Sequence, residues 1–479
     1  MLRRVLVPGG LLFVLALAPE GAAQSQAAEV EPTPPSGRQF TPPWYNVNPE
    51  PPPDFVYQQT GAIGFDPFVN DFAWNTFIAL NWPASGRFRG VPDRSNIIGG
   101  VPGKGGEGGG AGMPNGPTVW ETYKDTDDIY LNPPTRPAPF NQPETIPPAC
   151  RPLAKADPEA AKRTLVMTSK TSDVLSDVRQ AFTHAPLIDL NGELVWYEVK
   201  VNEPYFDFVV NNGYYDSRKQ PKTGVNFPQG ANDAKGLGAI RVKAAWKVLG
   251  DAKSRFPDDS KRFYAVDALV FDKSTGKCTK RQMGLVGLHI VQKTQTFPRY
   301  VWATFEHVDN APSQEEVSNG SAAKKKWNFY NAASNAVPNQ QPKEGQWTTP
   351  VQVVRVVPIA GNPAAANSQF QPALAALRAD NVWKNYQLVA AQWGGTNMSD
   401  PPSQPKYLAN TTMETYLQQP VEAPGSPHGC INCHNTYATS TDGDFQMTKA
   451  WPQAKQRAKA IVQQSMRLEA AKRQGPAQN

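Results

Sequence analysis

Apolar and polar positions alternate most regularly between residues 187 and 310. Ile240, Val242, Ala244, Trp246 and Val248 are interleaved with Arg241, Lys243, Ala245 and Lys247. Strict period-two spacing of this kind predicts a half-buried strand with its polar face towards water. Residues 263–272, 282–293 and 300–308 repeat the pattern, and Lys273-Ser274-Thr275-Gly276 supplies the turn between the first two. Asn191-Gly192, set between residues 187–190 and 193–201, is a two-residue hairpin signal, because both positions of such a turn favour positive φ. Residues 351–359 form one more short apolar run, and residues 205–215 predict a helix inserted between strands. The expected fold is therefore mainly β with peripheral helices, built on an antiparallel sheet.

One upstream segment carries helical spacing instead. Phe68, Phe72, Thr76, Phe77 and Leu80 share a face; Asp66 is placed to cap the helix and Pro67 suits its first position. Asn81-Trp82-Pro83 ends it. Around these elements lie segments that resist regular structure. Residues 24–60 are proline-rich and predict an extended arm. Residues 99–116 are glycine-rich and predict a surface loop; Gly103-Lys104-Gly105 lacks the Ser or Thr and the preceding strand of a phosphate loop. Residues 132–152 predict an irregular crossing. The domain plan is a scaffold over 61–400, a segment over 401–450 packing on it, and a basic helix and tail over 451–479, with Lys455, Arg457, Lys459, Arg467, Lys472 and Arg473.

Composition narrows the class. The 479 residues are 39% hydrophobic and 19% charged, with 47 prolines and 37 glycines, which disfavours coiled coils and helical repeats. A net charge of +6, from 48 basic and 42 acidic residues, is too balanced for a dedicated nucleic-acid binder. Arg3 and Arg4, the apolar run Leu11–Leu17 and the small residues Gly21-Ala22-Ala23 have the layout of a secretory signal over residues 1–23. Its apolar run is too short to span a bilayer, although an uncleaved anchor is the alternative. No later run reaches spanning length, so the mature chain is expected to be periplasmic and soluble, with no stable membrane span.

The chemistry concentrates in Cys430-Ile431-Asn432-Cys433-His434. C-x-x-C-H is the attachment signature of c-type haem. The spacing lets Cys430 and Cys433 each bond a vinyl group of one porphyrin while His434 reaches the iron as proximal ligand. A local metal site joined by His428, or a redox disulfide, are the alternatives; zinc asks for about four ligands, and Cys150 and Cys278 lie far away in sequence. Those two are left for one disulfide in an oxidising compartment or for two buried thiols. Only 45 residues follow His434, so the upstream β region is expected to cover much of a haem.

With Asp444-Phe445 following, this tail resembles the C-terminal haem motif of the small β-sheet cytochromes that oxidise hydroxylamine and of the β-type cytochromes c-prime. The resemblance implies a haem on a β fold, His434 on iron and an open opposite face. In the hydroxylamine-oxidising members a lysine is crosslinked to the haem; Lys243 and Lys247 lie in a suitable strand, and neither is assigned that role. Phe72-Ala73-Trp74 through Asn81-Trp82-Pro83, and residues 302–307, also look like segments of large bacterial cytochrome c family proteins, which are mono-haem with a C-terminal motif.

Candidates for the sixth iron ligand are His307, His289 and Met447, with His184, Met398 and Met413 behind them. His307 and His289 are also candidate catalytic groups, since strand histidines near acids suit proton transfer. Glu306 precedes His307, but neighbouring strand residues face opposite ways. Two functions stay open. One is electron transfer through a single covalent haem c to a periplasmic redox partner. The other is an oxidoreductase with an open distal site that oxidises a small-molecule substrate or reduces peroxide or nitrogen oxides.

Overall fold

The computed structural model describes residues 47–55, 66–99, 116–166, 185–232, 236–272, 275–343, 347–394, 405, 407–418, 429–431, 434 and 438–451. The signal segment, the glycine-rich loop from 100 to 115, His184, Met398, His428, Cys433 and the basic tail beyond 451 lie outside them.

Among the described residues, eight strands form one sheet: β1 (Lys124–Asp125), β2 (Thr164–Val166), β3 (Trp196–Val201), β4 (Ile240–Val248), β5 (Ala265–Asp272), β6 (Lys277–Gln292), β7 (Val301–His307) and β8 (Tyr386–Trp393). The sheet curls into a half-barrel. β6 organises it. At 16 residues it is long enough to serve two neighbours on one edge: β5 pairs with its first half and β7 with its second. β4 lines the other edge, followed by β3 and β1, and β8 continues outward from β7.

The sheet departs from the antiparallel expectation at one place. β2 runs parallel to β5, Thr164 opposite Leu269, so the sheet is mixed. The expected strand over 351–359 is extended and largely buried but is bonded piecemeal, Val353 N to Phe329 O and Arg355 N to Pro312 O. β8 and the helix Asn362–Leu377 were not anticipated; Pro372 inside that helix disguises its periodicity. The proline-rich arm is not wholly free of the scaffold. Phe55 is buried against Phe72 and Phe297, and Asp54 accepts from Thr296.

The helix forms over Asp66–Leu80, with Asp66 as its first residue and not its cap. A turn forms at Asn191-Gly192, but as a three-residue loop and not a two-residue one: Asp189 N is bonded to Glu193 O, and of the two only Gly192, at φ +83°, has positive φ. The inserted helix is Glu203–Asn211, capped by Asn202.

The two faces of the central strands are covered differently. Val242, Ala244, Leu288, Ile290, Ala303 and Phe305 share one face by register. The helix Asp66–Leu80 packs on it: Thr76 donates to Gln292, and Phe77 stacks on Phe305 at 4.2 Å. The helix Asn362–Leu377 follows through Trp74 stacked on Phe370 at 5.2 Å. The other face carries Arg241, Lys243, Gly287, His289, Val291, Trp302 and Thr304. Covering it are residues 407–418 and the described parts of the motif segment, 429–431, 434 and 438–451. Arg241, a polar position of β4 under this cover, is therefore buried rather than solvated, and Lys247, beyond the bulge, is buried too; Lys243 stays half-exposed, so the half-buried expectation is reversed at two of these positions. A second cover on a sheet face cannot be read from the strand's own alternation.

Cys150 and Cys278 form a disulfide joining the start of the helix Arg151–Ala156 to β6, 128 residues apart in sequence. No described helix is long and apolar enough to cross a membrane.

Candidate functional site

The motif segment docks on the sheet through backbone contacts. Gln392, on β8, accepts from Ile431 N at 2.9 Å and donates to Pro405 O at 2.8 Å. Ile431 is buried in the main core, and Cys430 is half-buried against it. This sets His434 over Trp302, ring centroids 4.3 Å apart, with Phe445 edge-on at 4.7 Å.

His434 is held by its Nδ1. That nitrogen donates to Gly443 O at 2.7 Å. Burial lowers its pKa, the Arg241 guanidinium adds to the effect, and the value falls to about 3. The ring is thus neutral at pH 7 with its proton on Nδ1, so Nε2 carries the lone pair that a metal needs. A histidine that binds a metal through one ring nitrogen commonly has the other fixed on a carbonyl in this way.

The turn that presents Gly443 O is built for the purpose. Asp442 and Gly443 both have left-handed φ, +55° and +71°. The Asp442 carboxylate accepts from Lys293, from Tyr300 Oη at 3.1 Å and from Phe227 N at 3.0 Å. Asp444 is fully buried and accepts from Tyr205 Oη and, at 2.6 Å, from Gln446 N, while Arg241 Nη1 lies 3.2 Å from its Oδ1. Tyr300 itself has φ +67°, a conformation costly for a bulky side chain and sustained here by its buried hydrogen bond and by Arg241 over its ring. These acids tie the tail to β4, β7 and the helix Glu203–Asn211.

The other cover, residues 410–417, approaches as closely as it does because β6 has a glycine there. A Cβ on Gly287 would sit 2.3 Å from Thr412 Oγ1. Asn410 donates to Thr304 and to Phe305 O, and Glu414 Oε1 lies 2.9 Å from His289 Nε2.

Between the two covers the face opens. Lys243 is the single half-exposed residue from Ile240 to Lys247, and His289 the single one from Met283 to Gln292. They are direct cross-strand partners. Tyr197 and Val199 of β3 are half-exposed beside them, and Lys243 Nζ lies 5.0 Å over the Tyr197 ring. Burial pushes the Lys243 ammonium below its ordinary range against the pull of Glu414. Burial opposes ionisation of Glu414 too, but His289 and Lys243 hold its carboxyl below the usual carboxylate range. The positive fields of His289 and Lys243 also reach His434. Lys243, His289 and Glu414 thus line a half-exposed slot, and the first two lie within electrostatic reach of the motif histidine.

No family model, curated protein or solved structure matches the chain. The site must therefore be read from its own chemistry.

The candidate residues separate clearly. His289 lies in the slot. His307 does not: its Nε2 donates to Arg262 O at 2.9 Å, its Nδ1 accepts from Asp309 N at 3.1 Å, and its ring stacks on Phe263 at 4.3 Å. With both nitrogens committed, it serves the fold. Glu306 faces away from it, pairing with Arg355 and accepting from Thr411. Met447 and Met413 are fully buried packing residues. Lys247 is bound between Asp258 and Asp189. Among the described residues, no group of three or more His, Cys, Asp or Glu side chains gathers as for a metal ion.

Arg241, Trp302, Glu414 and the Asp442–Asp444 turn escaped sequence reasoning. Arg241 occupies a polar position of an alternating strand and reads as solvent-facing. Glu414 has no local pattern around it at all.

Proposed function

We propose that this protein is an exported c-type cytochrome carrying one covalent haem, attached through Cys430 and Cys433, with His434 as the proximal iron ligand. The observation that carries the reading is the state of His434: within a C-x-x-C-H sequence, its Nδ1 is bonded to a backbone carbonyl and its Nε2 lone pair is left for iron. The half-exposed Lys243 and His289, in the otherwise buried stretches 240–247 and 283–292, support it as the place where the sheet face leaves room. The bound haem would supply a one-electron ferric–ferrous couple.

This chain's residues hold and shield that couple. Gln392 holds the attachment segment on β8. Gly443 O orients the imidazole, and Trp302 and Phe445 pack against its ring. The primary reading is electron transfer with a periplasmic redox partner. A second reading, an oxidoreductase acting on a small molecule, is favoured by the slot. Lys243, His289 and Glu414 are polar, half-exposed and able to move protons, where a pure electron carrier is served by apolar packing.

The test is periplasmic expression with haem maturation, followed by absorption spectra of the ferric, ferrous and carbon-monoxide-treated protein. Haem that stays with the denatured chain supports the reading, and its absence overturns it. His434→Ala is expected to keep the thioether-bound haem but alter its spectrum; an unchanged spectrum refutes the proximal assignment. Rapid carbon monoxide binding to the ferrous form selects the enzymatic reading, and refusal of carbon monoxide selects the electron carrier.

A further inference from the structure

The carbonyl that orients His434 is shared with a buried cation. Gly443 O accepts from His434 Nδ1 at 2.7 Å and from Arg241 Nη1 at 3.4 Å. Arg241 stands on β4, buried beneath the tail, its guanidinium 4.7 Å over the Tyr300 ring and 5.4 Å over Trp302. Trp302 is the ring that also packs on His434. The guanidinium is poorly satisfied for so buried a group: among the described residues, Nε and Nη2 have no hydrogen-bond partner. Leaving such donors unpaired is costly, so a pair kept only for stability would be better replaced by apolar packing.

Two donors on one carbonyl compete. The guanidinium draws electron density from Gly443 O and weakens it as an acceptor for the imidazole N–H. A partner on the far nitrogen of a ligating histidine raises that ligand's basicity; a cation on the same acceptor opposes the rise. The buried positive charge separately favours whichever state of a neighbouring redox centre holds the extra electron. Both effects act in one direction. Asp444 acts against them, since its carboxylate 3.2 Å from Nη1 offsets the charge and holds the guanidinium back from the carbonyl.

We propose that Arg241 is a positioning residue that weakens electron donation by His434 and so raises the reduction potential of the haem iron. The proposal rests on the cytochrome reading. It predicts opposite signs for the two members of one ion pair: Arg241→Met lowers the midpoint potential, and Asp444→Asn raises it. Arg241→Lys keeps the charge and stays between wild type and Arg241→Met.

The experiment uses the full chain, matured with haem in the periplasm. Covalent haem is quantified first, then each variant is titrated potentiometrically, and the iron–histidine stretch of the ferrous form is recorded by resonance Raman. Arg241→Met is expected to raise the ferric-to-ferrous ratio at fixed poise by about tenfold, which is about 59 mV for one electron. The stretch should move to higher frequency as His434 gains basicity.

Wild type without haem overturns the cytochrome reading and this proposal with it. Haem-loaded Arg241→Met with an unchanged or higher potential, or an unmoved stretch, overturns this proposal alone. Where Arg241→Met fails to fold, Asp444→Asn decides: a potential that stays or falls refutes the role of Arg241.

Discussion

The Cys150–Cys278 disulfide offers a prediction whose size follows from the chain itself. It closes a loop spanning 128 residues of sequence, which includes β2, β3, β4 and β5. In the chain-entropy model, a crosslink over that span removes about 5 kcal/mol of unfolded-state freedom at 25 °C. The compact unit covers residues 40–479. At about 2.1 cal/mol/K of unfolding entropy per residue, such a unit unfolds with roughly 0.9 kcal/mol/K, so the loss converts to a fall in Tm of about 5 °C. The double variant Cys150→Ser/Cys278→Ser, compared with wild type by scanning calorimetry at one scan rate, reads this directly. Adding reductant should bring wild type down to the variant and leave the variant where it was. Equal Tm values for variant and oxidised wild type would refute the reasoning. So would a fall that appears equally in both on reduction. The result also bears on location, because a structural disulfide belongs to the same oxidising compartment in which haem c is attached.

Asp444→Ala should detach the tail selectively: losing one member of a buried, hydrogen-bonded ion pair costs about 3–5 kcal/mol, read as lost hydrogen-exchange protection over 438–451 with β5 and β6 unaffected, and uniform loss would contradict the anchoring role. His307 titrates near 4 when folded, because burial disfavours its charged form, and at its ordinary 6.5 when unfolded. The unfolded chain therefore binds the extra proton between those values, and stability is lost as pH falls from about 6.5 to about 4, by roughly 3 kcal/mol in total. His307→Gln should flatten that limb of a denaturation-against-pH series; a slope equal to wild type would refute it.

How much was legible beforehand depended on whether a residue's partner was local. The helix from Asp66 and the position of the turn at Asn191-Gly192 were readable because an apolar face and a turn glycine are decided within a few residues, while the cap and the loop length came out differently. The registers of β4, β6 and β7 put Lys243 opposite His289 and His289 opposite Thr304, and no feature of the three segments specifies those pairings. His289 and His307 looked alike as strand histidines. A bulge between Thr304 and Phe305, together with the neighbours Arg262, Asp309 and Phe263, separates them.

By itself the sequence carried the chemical proposal: C-x-x-C-H is the ground for proposing a covalent haem, because attachment at two sulfurs and one axial nitrogen would need only five consecutive residues. It also determined that the scaffold would be mainly β, since strand periodicity is a local property. The tertiary structure alone decided which face of the sheet receives the motif, that Arg241 is buried beneath it, and that Lys243, His289 and Glu414 line the opening beside it. Those are contacts between segments 39 to 202 residues apart. Their energies come from burial and charge pairing, which a strand's own alternation of polar and apolar positions does not encode.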